Sequence, residues 1–259
     1  MIWEKYPETD PDGGSRRNKK QAIDRADGII AISEATRRDL LNIYPELSSK
    51  DIRVIHHGSS YSDSFDEKHA RPEWIPGRFV LYVGARESYK NFLSFFDAME
   101  SVLSENADLY VVCTGENSFT DAESTHFNRT YKDKALINRF IQKRCTDDEL
   151  IALYHNAECF VFPSKCEGFG MPILEAFACG CPVALSDIDI FHEVAGEAAV
   201  YFDPDDKQSI SDAVRHIMDD PDLRAGLIDK GRKRTKIFSW DKAARETYDF
   251  YKSVAGLRE

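Results

Sequence analysis

The chain has 259 residues, 42% of them hydrophobic and 31% charged, with 34 Lys and Arg against 45 Asp and Glu for a formal charge of -11. At roughly 150 residues per domain that is one large domain or at most two ordinary ones, apolar enough for a sizeable core and too apolar for disorder. No Lys/Arg block offsets the acidic excess, which argues against an extended nucleic-acid footprint. No run of eighteen apolar residues suits a membrane-spanning helix.

The N-terminal MIWEKYPETD lacks the basic stretch and apolar run of a secretory signal. From there, short apolar runs rich in strand formers recur along the chain. They are GIIAIS (28–33), IRVIHH (52–57), FVLYVG (79–84), LYVVCT (109–114), CFVFP (159–163), PVALS (182–186) and AVYF (199–202). They are continuously apolar rather than alternating, as strands covered on both faces are. Between 79 and 202 the order reads strand, helix, strand, helix, strand, helix, strand, the signature of a doubly wound parallel α/β sheet.

The helical patterns fall between these runs. After Gly84, Phe92, Phe95, Phe96, Met99, Val102 and Leu103 recur at three- and four-residue steps, a core-facing stripe. A second helix runs from about Asp147 through Leu150, Leu153 and Tyr154. A third starts at Pro172 and stops at Gly180, with proline in the first turn and glycine at the end. The last helices carry Ile210, Val214 and Ile217, then Trp240, Ala244, Tyr248 and Tyr251. Residues 58–78, rich in Ser, Asp, Glu, Gly and Pro without period, read as a linker. One strand–helix–strand unit precedes it, and two strands do not make a stable two-sided sheet. Residues 1–57 therefore read as the tail of a domain whose beginning is absent.

Cys113, Cys145, Cys159, Cys166, Cys179 and Cys181 form no CxxC pair, and they read as buried, reduced thiols of a cytosolic protein. The seven histidines (His56, His57, His69, His126, His155, His192, His216) have no ligand-like pairing and read as structural or exposed, so no metal site is expected.

The richest segment is FVFPSKCEGFGMPILEAFACGCPV (160–183). Here a buried strand ends at Pro163, and a loop leads to a helix near Pro172. In an open α/β sheet ligands sit beyond the carboxyl ends of strands, where this loop falls. Gly168 and Gly170 admit close backbone approach. The N–H groups near Gly170, Met171, Ile173 and Leu174 suit a phosphate, aided by the helix dipole. Glu167 and Glu175 bracket the loop, and a carboxylate accepts two hydroxyls at once; Glu175 taken alone is equally an ordinary acidic residue stabilising a helix start. Arg86 and Lys90, in VGARESYKNF after Gly84, are either a solvated loop pair, paired with Glu87, or the cations that hold an anion.

EGFGMPILE (167–175) resembles the E-x7-E motif of the retaining glycosyltransferases of family 4, the group 1 glycosyltransferases. ADGIIAISEATRRDLL, IRVIHHG, VGARESYKN, DDELIALYHNAECFVFPS, CGCPVALSD, HEVAGEAAVYFDPDD and FSWDKAA follow in the family's order, from about Ala26 to Tyr251. The resemblance implies the GT-B fold: a remnant of the acceptor-binding domain (1–57), a linker (58–78), a Rossmann-like nucleotide-sugar-binding domain (79–235) and a C-terminal helix that returns to the first domain (236–259).

It further implies transfer of a hexose from a GDP- or UDP-sugar to a glycan or lipid-linked acceptor, in cell-surface polysaccharide synthesis, without a metal or other cofactor. Glu175 would hold the ribose, Glu167 the transferred sugar, and Arg86 and Lys90 the diphosphate. Gly84 and the backbone of Gly168, Phe169, Gly170, Met171, Ile173 and Leu174 would complete the donor site, with the turn 143–146 near the base. The family's Arg before the phosphate-loop Lys is Tyr89 here. Expected partners are a second copy or a complementary N-terminal-domain chain, with membrane contact through the missing domain. The expected location is the cytoplasm, at the membrane's cytoplasmic face. The competing readings are a non-catalytic nucleotide-sugar-binding module or the subunit of a split enzyme. A dehydrogenase is disfavoured because no G-x-G-x-x-G follows the first strand of the main sheet.

Overall fold

The computed structural model describes residues 1–59, 61, 69–86, 88–115 and 118–256. The expected α/β architecture is present as two parallel sheets of unequal size. A short α1 (Ile2–Lys5) and α2 (Gly14–Arg25) lead into β1 (Gly28–Ala31), α3 (Glu34–Ile43) and β2 (Asp51–Val54), and β1 pairs with β2 in parallel. The main body follows as β3 (Arg78–Val83), α4 (Phe92–Glu105), β4 (Leu109–Thr114), α5 (Asp121–Thr130), β5 (Phe140–Gln142), α6 (Asp147–Asn156), β6 (Cys159–Phe162), α7 (Met171–Ala178), β7 (Val183–Ser186), α8 (Asp189–Ala195) and β8 (Ala199–Phe202). Helices α9 (Lys207–Asp219), α10 (Pro221–Thr235) and α11 (Trp240–Val254) close the chain.

The main sheet has six parallel strands in the order β5-β4-β3-β6-β7-β8. It is covered on both faces, as continuously apolar strands require. Along β3, Phe79, Leu81 and Val83 enter one core with α6, α7 and α8, whereas Val80 and Tyr82 enter the other with α4 and α9. The stripe from Phe92 to Leu103 lies wholly in that second core. Five of the six cysteines are buried, Cys145 being intermediate.

Several expectations need correction. The sequence pattern between 79 and 202 omits β5, a three-residue strand, and α5, α2 and α8 were also not expected. In α2 only Ile23 is buried, so no apolar stripe marks it; α5 has Phe127 alone. The strands expected at 28–33 and 52–57 are shorter at their C-terminal ends, and α7 runs from Met171 rather than Pro172. Residues 60 and 62–68 of the expected linker lie outside the described residues. Its end is anchored, with Ile75 buried in the first core.

The small sheet is docked on the large one by polar contacts from α3. Ser33 caps that helix by accepting from the Thr36 amide, and its hydroxyl donates to the Gly168 carbonyl at 2.8 Å. The Thr36 hydroxyl donates to the same carbonyl at 3.0 Å. Glu193 of α8 accepts from the amides of Glu34 and Ala35 at 2.8 and 3.1 Å, and His56 Nε2 meets it at 2.7 Å. A carboxylate at a helix N-terminus satisfies two donors that have no partner within the helix. Helix α11 packs Ala243 and Phe250 beneath β1 and β2, with Ile55 and Ile30.

Burial acts to raise the Glu193 carboxyl pKa, and the bonds from His56 and the two amides outweigh it, so the folded value is low. Its stabilisation is therefore complete above the unfolded carboxylate range and is lost as pH falls through the folded value. Glu193→Ala is expected to lower stability by roughly 1.5–3 kcal/mol at neutral pH, a charge-assisted network being removed. The gap to the parent chain should close on acidification. Urea unfolding of both proteins across pH checks this; a gap unchanged at the acid end would count against it.

Candidate active site

The order β5-β4-β3-β6-β7-β8 reverses direction between β3 and β6. Connections leave to opposite sides there, so a crevice opens beyond the carboxyl ends of these two strands. Gly84 ends β3 at φ 134° and Gly115 ends β4 at φ 116°, both in the region that favours glycine. A Cβ on Gly115 would lie 2.9 Å from the Gly84 backbone, whereas one on Gly84 would meet nothing within 4 Å. The two turns are thus in van der Waals contact, and Gly84 offers bare backbone to the crevice.

Lys90 closes a single 3-10 turn (Ser88–Lys90), and Asn91 follows at φ 56°. A non-glycine residue there is strained, and the Asn91 amide offsets this by donating to the Pro204 carbonyl at 2.7 Å. From the other side of the crevice, the loop after β6 presents Glu167. Lys90 Nζ donates to Glu167 Oε1 at 2.7 Å, with the side chains only 16% and 10% exposed. The loops are further joined by the Lys165 amide, which donates to the Tyr89 carbonyl at 2.8 Å. Lys90 also lies over the rings of Tyr89 and Phe162. Two of the three residues expected to act in catalysis therefore meet directly.

The third, Arg86, is held elsewhere. Its guanidinium pairs with Glu123 at 2.6 Å, with the Arg86 side chain 4% exposed, and it lies over Phe92 and Phe119. Glu87, the partner considered from sequence, lies outside the described residues. Glu123 also forms a capping box with Thr120 at the start of α5. Burial pushes the Glu123 carboxyl up, but the Arg86 and Thr120 hydrogen bonds outweigh it and hold it low. Glu123 is a residue the sequence reading missed. The T-x-x-E box marks a helix start, and nothing in it points back 37 residues to Arg86.

The loop 167–170 and α7 divide between fold and site. The Gly168 carbonyl is used by Ser33 and Thr36. The ring of Phe169 is buried among His56, His57 and Phe238. Gly170 sits at φ 95° as the N-cap of α7, and its carbonyl accepts from the Ile173 amide at 2.9 Å. That amide is therefore committed to the turn, and the side chains of Ile173 and Leu174 are core. Met171 is partly buried against the same core. In the turn expected near a base, Lys143 pairs with Glu149 at 2.8 Å and lies 4.5 Å from the centre of the Trp74 ring, while Thr146 caps α6.

A sequence profile for glycosyl transferases group 1 matches residues 64–234. The chain belongs to this family. It is 30% identical over 203 residues to the O-antigen chain mannosyltransferase RfbU of Salmonella typhimurium, covering 78% of this chain and 54% of that protein. It is 27% identical over 242 residues to the O-antigen chain mannosyltransferase B of Escherichia coli, covering 90% and 62%. The chain thus spans little more than half the length of these relatives. Among solved structures, the sucrose-phosphate synthase of Thermosynechococcus elongatus superposes with a TM-score of 0.76 at 24% identity, covering 93% of this chain and 61% of that one. A trehalose-phosphate synthase of Burkholderia vietnamiensis gives 0.73 at 12%, covering 88% and 60%. The Rossmann-like architecture of a GT-B glycosyltransferase is therefore shared. Among the described residues no helix is long and apolar enough to cross a membrane.

Within this family member, Glu175 sits in surroundings that oppose its charge. It points from α7 toward α6, and the buried Tyr154 hydroxyl donates to its Oε2 at 3.2 Å. Burial raises its pKa, the Tyr154 bond opposes this, and Asp147 adds to the rise. Tyr61, next to it, is pushed up to about 12, first by burial and then by the Glu175 charge. A raised folded pKa means that the neutral form is favoured by folding, so this contribution is lost as pH rises through the folded value. Glu175→Gln keeps the shape and removes the buried charge. It is expected to melt at a higher temperature than the parent chain at neutral pH, with the difference shrinking at acid pH. Differential scanning calorimetry at both pH values checks it, and a lower melting temperature at neutral pH would contradict it.

Proposed function

We propose that this chain carries the donor-binding half of a retaining mannosyltransferase, moving mannose from a nucleoside-diphosphate sugar to a glycan or lipid-linked acceptor in cell-surface polysaccharide synthesis. The observation that carries it is the Lys90–Glu167 pair at the sheet's reversal point, beside the open backbone of Gly84. The names of the two O-antigen mannosyltransferase relatives support the choice of sugar. The work is proposed for the cytoplasmic face of the membrane.

Breaking a sugar–diphosphate bond leaves negative charge on the departing phosphate. Lys90, fixed by the strained Asn91 turn, meets that charge more strongly in the transition state than in the ground state. Arriving diphosphate draws Lys90 from Glu167, and the carboxylate so released accepts hydroxyls of the transferred sugar. Arg86 adds positive charge behind the same loop, shared with Glu123. Glu175, with one neutral donor in Tyr154, takes the ribose hydroxyls. The positive groups are protein side chains and helix N–H groups, so the proposal requires no divalent metal.

GDP is expected to bind in the presence of a chelator, and Glu175→Ala is expected to weaken that binding by roughly 1.5–3 kcal/mol, the scale of a charge-assisted hydrogen bond. Glu167→Ala frees Lys90 and should bind free GDP at least as tightly as the parent chain, while losing the increment that the sugar adds. Titration calorimetry with GDP and GDP-mannose decides. Strict dependence on magnesium, or equal losses for both ligands in both variants, would overturn the assignment of roles.

A further inference from the structure

Lys90 and Glu167 stand on two loops of the main body, and a third segment touches the first of them. Tyr6 joins α1 to a 3-10 turn (Pro7–Thr9). Its ring meets that of Tyr89 with centroids 5.6 Å apart and planes tilted by 47°. Two residues on, Glu8 Oε1 accepts from the Ser88 hydroxyl at 2.7 Å, across 80 residues of sequence. Both contacts land on the turn that Lys90 closes.

The turn that presents Tyr6 and Glu8 is anchored on both flanks. Before it, Glu4 accepts from Lys19 Nζ of α2 at 2.5 Å and from the Tyr44 hydroxyl, at the end of α3, at 3.1 Å. After it, the buried Asp10 carboxylate accepts from the amides of Ser15 and Arg16, both at 3.0 Å. These amides belong to the first turn of α2, where they have no partner within the helix. Within the turn, the Thr9 hydroxyl donates to the Tyr6 carbonyl at 2.7 Å. Tyr6 and Glu8 are therefore fixed to α2 and α3 and carry that placement to the loop they touch.

That loop has work to do when an anion arrives. The Lys90 ammonium is paired with Glu167, and it lies 5.2 Å from the centre of the Tyr89 ring and 5.4 Å from that of Phe162. A diphosphate that draws Lys90 from Glu167 leaves the two rings to aim it. Phe162 is fully buried in the first core and cannot turn without opening it. Tyr89 sits on the loop itself. Its carbonyl is held by the Lys165 amide, and its ring is met by Tyr6.

We propose that Tyr6 and Glu8 are positioning residues for Lys90. Tyr6 holds the Tyr89 ring against the lysine, and Glu8 holds Ser88, so the ammonium meets the phosphate in a fixed place. The proposal rests on reading Lys90 as the group that takes the diphosphate. It makes the grip on the donor depend on a segment that acts through the loop.

The test is calorimetric titration of the whole chain with GDP in chelator. Tyr6→Ala is expected to weaken GDP about fivefold, and Tyr6→Phe, which keeps the ring, to stay within about twofold of the parent. Ser88→Ala removes one exposed hydrogen bond without changing any charge, and it should weaken GDP about threefold. Lys90→Met should weaken GDP about tenfold. In the Lys90→Met background, Tyr6→Ala and Ser88→Ala should cost nothing further, because residues that act through one another are not additive. A merely structural role would give the same factor in both backgrounds. Losses that multiply, or Tyr6→Ala and Ser88→Ala chains that bind GDP like the parent while Lys90→Met does not, would overturn the positioning role and leave the donor reading standing. Undiminished GDP affinity in Lys90→Met would overturn the donor reading, and the positioning role with it.

Discussion

The contact between Lys90 and Glu167 is the point on which the site depends. It exists because β3 and β6, 79 residues apart at their paired positions Leu81 and Phe160, lie side by side only in a sheet that reverses its winding between them. Each loop alone would present one solvated charge. Brought together at 2.7 Å and largely shielded from water, each charge offsets part of what the other loses in hydration. Removing either leaves the other under-compensated, which ties the geometry of one loop to the chemistry of its neighbour. The surrounding features serve that contact. The strained backbone at Asn91 aims Lys90, and the Lys165–Tyr89 backbone bond fixes the distance between the loops.

The same loop is gripped from the other side. Gly168, next to Glu167, gives its carbonyl to Ser33 and Thr36, and Glu193 holds the start of α3 through two amides. The position of the small sheet is thereby coupled to the position of Glu167 through bonds spanning 135 residues of sequence. A shift of α3 relative to the main body has to break these bonds or carry the loop with it. In physical terms the N-terminal segment is part of the support of the site, not an appendage to it. Phe169, wedged among His56, His57 and Phe238, adds an apolar side to the same joint.

Most of the architecture was legible because its signals are local. The central strands are unbroken apolar runs, the α4 stripe keeps helical period, and α7 carries proline at its start. β5 was not legible, since three residues between an Arg and a Lys look like loop until β4 supplies its hydrogen bonds. Nor was α2, whose single buried residue leaves no periodic face. At the site, Lys90, Glu167 and Glu175 were legible as residue types at telling positions, but their partners were not. Glu123, Glu193 and Tyr154 are ordinary in sequence and acquire meaning only from what the fold sets opposite them. Arg86 shows the limit most clearly: its place after β3 suggests an anion, and only the folded chain reveals that Glu123 already faces it.

The two glutamates of the loop and helix show how one short segment makes two different acceptors. Glu167 stands against a lysine, so its charge is compensated and available for exchange when a stronger anion claims that lysine. Glu175 stands against a phenol and meets no cation among the described residues, so burial presses it toward the neutral form. Such a carboxylate is costly while empty and gains most from hydroxyl donors that stabilise its charge. Eight positions of sequence thus separate a group that trades partners from one that waits for them. That division follows from environment rather than residue type, since the same carboxyl serves in both places. A segment that moved Lys90 to face Glu175 would abolish the distinction, and the fold prevents this by committing Lys90 to the loop after β6 through both its side chain and the backbone of the preceding residue.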